Sequence, residues 1–301
     1  MAGRGSPMGP DGLAVVDKPA GWTSHDVVAK ARGLLGTRRV GHSGTLDPDA
    51  TGVLVLGVGR ATRLLTYLSG LDKSYVGEVV LGTATSTLDA SGEVTGTWDL
   101  AGVGLAEVRA AAAALTGDIR QVPPMVSAKR VDGRRLHELA RAGVDVERRP
   151  VPVRVDRFDV GEPVEPGVHP ISVTCSSGTY VRSLAADLGT ALGGGAHLRN
   201  LRRTAVGPYG LDEAVPLESL SRDRLLPPIE ALRGRPRVIV DDRLAALVGH
   251  GRVFDDAVLG ADGDGPWAVV DEAGALLALY VRHGAGQVKP AVVLTGDQQH
   301  H

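Results

Sequence analysis

Asp47 is the side chain in this 301-residue chain most favourably mounted for chemistry. It lies in the stretch Gly41-His-Ser-Gly-Thr-Leu-Asp47-Pro-Asp-Ala-Thr-Gly-Val-Leu-Val-Leu-Gly-Val-Gly59. Pro48 fixes its own φ and biases Asp47 away from helix. Gly41, Gly44 and Gly52 permit sharp turns or close approach of backbone to a ligand. Val53 to Leu56 is short, branched and apolar, so it reads as a buried strand. A carboxylate on a stiff turn at the mouth of a core strand, with His42 five residues before it, suits a fixed nucleophile or general base. The same residue types also make an ordinary Asx-type turn with no chemistry.

Other segments compete for a functional reading. Gly57-Val-Gly-Arg-Ala-Thr62 mimics a dinucleotide fingerprint, with Glu78 about twenty residues downstream. Its third glycine is replaced by Thr62, and Glu78 falls in mid-strand where a ribose contact needs a strand end, so a nicotinamide enzyme is a weak alternative. Gly36-x-x-x-x-Gly41-His42 has phosphate-loop spacing but lacks the Lys-Ser/Thr pair. Cys175, the single cysteine, shares one strand face with Ile171 and Val173 and reads as a small buried hydrophobe. Of nine histidines only the terminal His300-His301 are closely spaced, and no metal site is indicated. Local pattern alone makes Lys18 a loop charge, Tyr75 a packing residue, Asp89 a turn residue, Leu201 a core residue and Arg182 a solvated charge.

The elements that would position these groups follow from pattern. Leu13–Val16 reads as a strand. Ser24 caps a helix with the apolar stripe Val27, Val28, Ala31, Leu34 and Leu35, stopped by Gly36. A strand at 53–58, a short helix at 61–68 and an alternating strand at 74–81 come next. A helix at 105–115 ends at Gly117. A strand at 125–131, turned by Asp132-Gly133, precedes helical spacing over 135–142. Strands at 151–160 and 171–175, a helix at 180–192 and an extended run at 196–206 complete the large part. This mixture of hairpins and helices indicates an α+β fold. Pro227-Pro228 and Arg233-Gly-Arg-Pro236 mark a linker. Beyond it, strand patterns at 238–240, 267–270, 276–281 and 288–294, with a helix at 243–248, suit a small β-barrel.

Composition bounds the rest. The length allows one large and one small domain with a real core. A formal charge of −2 argues against a general polyanion binder, yet residues 129–157 hold nine Lys/Arg against five Asp/Glu. Arg199, Arg202 and Arg203 cluster, as do Arg233, Arg235 and Arg237. Arginine outnumbers lysine 28 to 5, which makes clustering a better guide to phosphate recognition than abundance. Residues 1–11 read as a flexible Gly/Pro/Ser-rich arm with no apolar signal segment, and no apolar run approaches a membrane span, so a cytoplasmic protein is expected.

His42-x-Gly-Thr-Leu-Asp47-Pro-x-Ala-Thr-Gly-Val-Leu54 resembles the catalytic signature of the TruB family of tRNA pseudouridine synthases. The resemblance extends to Val15-Val-Asp-Lys18-Pro-x-Gly-Trp-Thr-Ser24, Lys73-Ser-Tyr75, Thr85-x-Thr-x-Asp89-x-x-Gly92 and Gln121-Val-Pro-Pro-Met-Val-Ser-Ala128. Gly178-Thr-Tyr180-Val-Arg182-Ser-Leu184 and Gly195-Ala-His-Leu-x-x-Leu201-Arg-Arg-Thr204 close the set, which spans roughly residues 12–220 in family order. Lys129-Arg130 directly after Ser127-Ala128, and His137 in place of an aromatic, depart from the family pattern.

The resemblance implies an α+β pseudouridine-synthase catalytic domain over 12–232, with a mixed, largely antiparallel sheet and an RNA-contacting insertion at about 123–150. A PUA-like RNA-binding domain would occupy 236–296. It implies isomerisation of uridine 55 in the T-arm of tRNA, with base flipping, no cofactor and no metal; a monomer is expected, since no obligate protein partner is evident in the sequence. Asp47, Tyr75, Tyr180 and Arg182 would be catalytic: nucleophile, stacking platform, proton handler and partner of Asp47. Attack by Asp47 on the sugar and attack on the base both stay open. Lys18, His42, Asp89, Leu201, Lys129, Arg130, Arg134, Arg135 and Arg141 would shape the pocket or contact RNA. A tRNA-folding chaperone without catalysis is the binding-class alternative.

Overall fold

The computed structural model describes residues 9–125, 130–131, 134–135 and 148–295. Chain order begins with β1 (Gly12–Lys18), α1 (Ser24–Leu35), β2 (Val40–His42), β3 (Thr51–Val58), α2 (Leu65–Ser69), β4 (Lys73–Leu81), β5 (Thr83–Thr85) and β6 (Val94–Thr97). It continues with α3 (Leu105–Ala114), β7 (Gly117–Gln121), β8 (Arg130–Val131), β9 (Arg134–Arg135), β10 (Val151–Val160), β11 (Val168–Cys175), α4 (Val181–Ala191), β12 (Ala196–Val206), β13 (Tyr209–Gly210) and β14 (Val215–Pro216).

Ten of these strands form one sheet in the order β14-β1-β3-β12-β4-β11-β10-β7, with β13 beside β12 and β2 beside β3. Its pairings are antiparallel except β1 with β14 and β3 with β12. The α+β class and the mixed, largely antiparallel sheet therefore match the sequence reading. The β3–β12 contact pairs Arg202 with Thr51 and Arg203 with Gly52, where the Asp47 turn enters β3. Gly52 sits at φ 102°, and a Cβ there would lie 2.1 Å from the Arg203 carbonyl oxygen, so only glycine fits.

Local structure departs from the sequence reading in several places. The cap of α1 is Thr23, whose hydroxyl accepts from the Asp26 amide in a capping box. Ser24 is instead fully buried and serves the site. Leu34 falls outside the buried stripe of α1, whereas Val27, Val28, Ala31 and Leu35 form it, and Gly36 ends the helix in the left-handed conformation. The helix expected over 61–68 splits into a 3-10 turn at Gly59–Leu64 and then α2. Of the strand expected over 125–131, Arg130–Val131 is extended and pairs antiparallel with β9. The helical spacing over 136–142 lies outside the described residues.

The last part of the chain adds β15 (Arg237–Ile239), α5 (Asp242–Gly249), β16 (Phe254–Asp255), α6 (Asp256–Leu259), β17 (Trp267–Val270), β18 (Leu276–Arg282) and β19 (Gln287–Val293). The five strands form a second sheet, β15-β17-β18-β19-β16. It is not packed independently. Ala268, Val270, Leu279 and Val292 share one apolar cluster with Leu13, Val15, Val53 and Val55 of the large sheet. Arg63 also donates to the Val293 carbonyl at 2.6 Å. On the opposite side, α3 and α4 cover β4, β10 and β11 around Val79, Val155, Val173 and Leu184. Among the described residues no helix is long and apolar enough to cross a membrane.

Candidate active site

The Asp47 turn is held from three directions. From α1, the Ser24 hydroxyl accepts from the Leu46 amide at 2.9 Å and donates to the Leu46 carbonyl at 3.2 Å. From β12, Arg203 donates to the carbonyls of Gly44, Thr45 and Val53. From the end of β1, the Lys18 ammonium donates to the Pro48 carbonyl at 2.9 Å, which also accepts from the Gly21 amide at 3.0 Å. The backbone on both sides of Asp47 is thus tied to other elements, and the carboxylate points from a fixed base.

Lys18 is fully buried, and its second bond is to the Pro19 carbonyl at 2.9 Å. Its ammonium therefore braces the turn and offers no surface to RNA. Burial lowers its pKa to about 8, against the opposing pull of Asp49 and Asp47.

Arg182, on the first turn of α4, is buried and reaches the turn from above. Its Nε lies 3.0 Å from Asp47 Oδ2 and its Nη2 donates to Oδ1 at 3.1 Å, a two-point contact. The same guanidinium lies 3.2 Å from Asp89 Oδ2 and donates to the Thr87 carbonyl at 3.0 Å. Asp89 accepts in turn from the Thr87 and Ser91 hydroxyls, both at 2.6 Å. It is a turn residue and an ion-pair partner at once.

One guanidinium thus serves two carboxylates. An adjacent arginine by itself would hold the Asp47 pKa down, but it is only part of the balance. Burial raises the pKa, and Asp89 adds to that rise, which together outweigh the lowering by Arg182. The Asp47 side chain is 41% exposed, open toward a cavity of about 420 Å³.

That cavity also presents His42, Tyr75, Tyr180, Leu201, Lys73 and Arg203. Tyr75 projects from β4 with 9% exposure and lies close to the Arg203 guanidinium. Burial raises its pKa. Tyr180 caps α4, and its peptide is clamped by the fully buried Gln121, whose amide accepts at 2.8 Å and donates at 3.1 Å. His42 meets His25 edge-on, ring centres 5.4 Å apart, and its Nδ1 is buried without a hydrogen-bond partner. Burial lowers the His42 pKa, with His25 adding to the effect.

A second cavity of about 220 Å³ lies beyond the Asp47–Arg182 pair and shares Leu201 with the first. Among the described residues no cluster of three or more His, Cys, Asp or Glu could hold a metal ion.

The structure brings together Asp47, Tyr75, Tyr180, Arg182, His42 and Leu201 at one cavity, and Asp89 behind it. Lys129 and Arg141 lie outside the described residues, and Arg130, Arg134 and Arg135 are described as short strands only. Ser24, Gln121 and Arg203 do not stand out as site residues in the sequence. Their types are ordinary, and their partners are distant in the chain. Three of the clustered arginines are engaged in ion pairs within the protein, while Arg237 is exposed. Arg199 pairs with Glu78 and Glu165, Arg202 with both oxygens of Asp17, and Arg233 with Glu213 and Glu230.

This is a cleft in which a carboxylate, aimed by a guanidinium, faces an aromatic ring in a partly enclosed space. Such a cleft suits covalent or electrostatic work on a flat, extruded base and its sugar. Residues 32–181 match the N-terminal domain described as "TruB family pseudouridylate synthase", and residues 182–231 match the "tRNA pseudouridylate synthase B C-terminal domain". The chain belongs to the TruB family of pseudouridylate synthases. A tRNA pseudouridine synthase B of Streptomyces griseus is 48% identical over 94% of this chain and 97% of its own. That of Streptomyces coelicolor is 49% identical over the same shares, 94% and 97%. Among solved structures, a chain of a Cbf5-Nop10-Gar1 complex matches with TM-score 0.70 at 27% identity, over 95% of this chain and 84% of that one. An H/ACA RNP bound to a substrate RNA shares the fold, with TM-score 0.72 at 23% identity, over 97% and 92%.

Proposed function

We propose that this chain isomerises uridine 55 in the T-arm of tRNA to pseudouridine, in the cytoplasm and as a monomer. The carrying observation is Asp47, gripped at both oxygens by Arg182 on the wall of the cavity that Tyr75 also lines. The reaction breaks the bond from base N1 to sugar C1′, rotates the base, joins C5 to C1′, and exchanges the C5 hydrogen for a proton on N1. Asp47 supplies the nucleophile that this bond exchange needs, on sugar or base. Tyr75 stacks the flipped uracil, Tyr180 handles a proton, and His42 and Leu201 fill space around the extruded nucleotide. Unstacking costs on the order of a few kcal/mol, offset by phosphate and shape contacts from the 123–150 insertion and a PUA-like RNA-binding domain over 236–296. The names of the relatives support tRNA as substrate.

The test is incubation with unmodified tRNA transcript, followed by chemical labelling of pseudouridine and mapping of its position. Label at position 55, absent when that uridine is replaced by cytidine, is expected. Label elsewhere, or none, would overturn the reading.

A further inference from the structure

Two buried cations at the cavity floor have no carboxylate partner among the described residues. Lys73 is 6% exposed and its ammonium donates to the carbonyls of Ser69 and Leu71 at 2.6 and 2.5 Å. Arg203 is 1% exposed and donates to the backbone carbonyls of Gly44, Thr45 and Val53. Arg199, Arg202 and Arg233, by contrast, all form ion pairs. Burying positive charge without an anion is costly, and at a cavity wall an anionic ligand would offset that cost.

The surroundings of Lys73 fit that ligand. An ammonium has three donors, and two are used. Ser176, Ser177 and Gly178 line the same cavity, Gly178 at φ 87°. Lys73 and Tyr75 lie on one face of β4, two residues and so about 7 Å apart. A base stacked on Tyr75 therefore places its own backbone within reach of Lys73. Burial, reinforced by Arg203, lowers the Lys73 pKa to about 8, as expected of a cation whose counter-charge arrives with the ligand.

We infer that Lys73, with the Ser176–Gly178 loop, forms a subsite for a phosphodiester group flanking the target uridine. This rests on the reading of the cavity as a uridine site. It adds an electrostatic anchor inside the cleft, separate from the basic insertion outside it.

The test is a cycle between protein and RNA. A T-arm stem-loop is made with a neutral methylphosphonate at the linkage 5′ or 3′ to the target uridine, and KM and single-turnover rate are measured for wild type and Lys73→Met. One of the two linkages should raise the wild-type KM about tenfold, the effect expected of removing one charge-assisted interaction. Lys73→Met should raise KM by a similar factor with natural RNA, and the two changes together should cost no more than either alone. The wild-type arm needs no mutant to fold. If wild type converts both neutral-linkage RNAs as well as natural RNA, or if the two effects multiply, the subsite is wrong. If wild type converts no RNA, the uridine reading itself fails, which is a distinct result.

Discussion

Arg182 grips both oxygens of Asp47, at 3.0 and 3.1 Å, across 135 positions of sequence. No local pattern can show this pairing. It exists because the fold sets the first turn of α4 over the Asp47 turn, beside the β3–β12 junction. The guanidinium has no surplus charge to give, because Asp89 claims it too.

Replacing Arg182 should therefore act on aim and on ionisation together. Arg182→Met removes the group that lowers the Asp47 pKa most strongly, leaving burial and Asp89 to raise it further. Ionised Asp47 disappears as pH falls through its pKa, so the acid limb of the rate profile should move to higher pH. Turnover should fall by about 10²- to 10³-fold with tRNA affinity largely kept. Arg182→Lys should be intermediate, since it keeps charge but gives up the planar two-point grip. An unshifted acid limb in Arg182→Met would remove the electrostatic role.

Asp89→Asn should shift the same limb the other way. Asp89 raises the Asp47 pKa, so its neutralisation favours the ionised form and extends activity to lower pH. A pH–rate profile moved upward, or not at all, would show that the two carboxylates do not share Arg182 in solution.

Arg203→Met should cost stability before it costs chemistry. The substitution leaves the Gly44, Thr45 and Val53 carbonyls short of a donor in a buried setting. A decrease of roughly 3 kcal/mol is expected, or about 6 to 12 °C in Tm for a chain of this size. Thermal unfolding checks it, and an unchanged Tm would mean the turn is held without Arg203.

The basic segment makes a prediction about salt. If Arg134, Arg135, Arg141, Arg148 and Arg149 bind phosphate, replacing several should weaken tRNA binding and flatten the log–log salt slope by roughly 0.7 to 0.9 for each phosphate no longer neutralised. An unchanged slope would make them an ordinary solvated face.

What can be read from sequence depends on where each residue's partner sits. The Asp47 turn, the β3 apolar run and the stop at Gly36 are local features, written in neighbouring residues. Thr23 and Ser24 are equally good caps by type, so pattern alone places the cap one residue late. Burial of Ser24 against Leu46, which decides between them, is an interaction across 22 positions. The arginines at 199, 202 and 233 resemble phosphate ligands because Glu78, Asp17 and Glu213 lie elsewhere in sequence. Arg203 and Gln121 stand in recognisable motifs, but their bracing roles are hidden because their partners lie far away in sequence. The fold brings them to the site, and their side chains carry no chemical signature of their own.

That Asp47 performs the isomerisation is tested most directly by Asp47→Asn under single-turnover conditions, with affinity for T-arm RNA measured in parallel. Pseudouridine formation should fall by at least about 10⁴-fold with RNA affinity nearly unchanged. Turnover near the wild-type rate by a pure Asp47→Asn preparation would contradict the assignment.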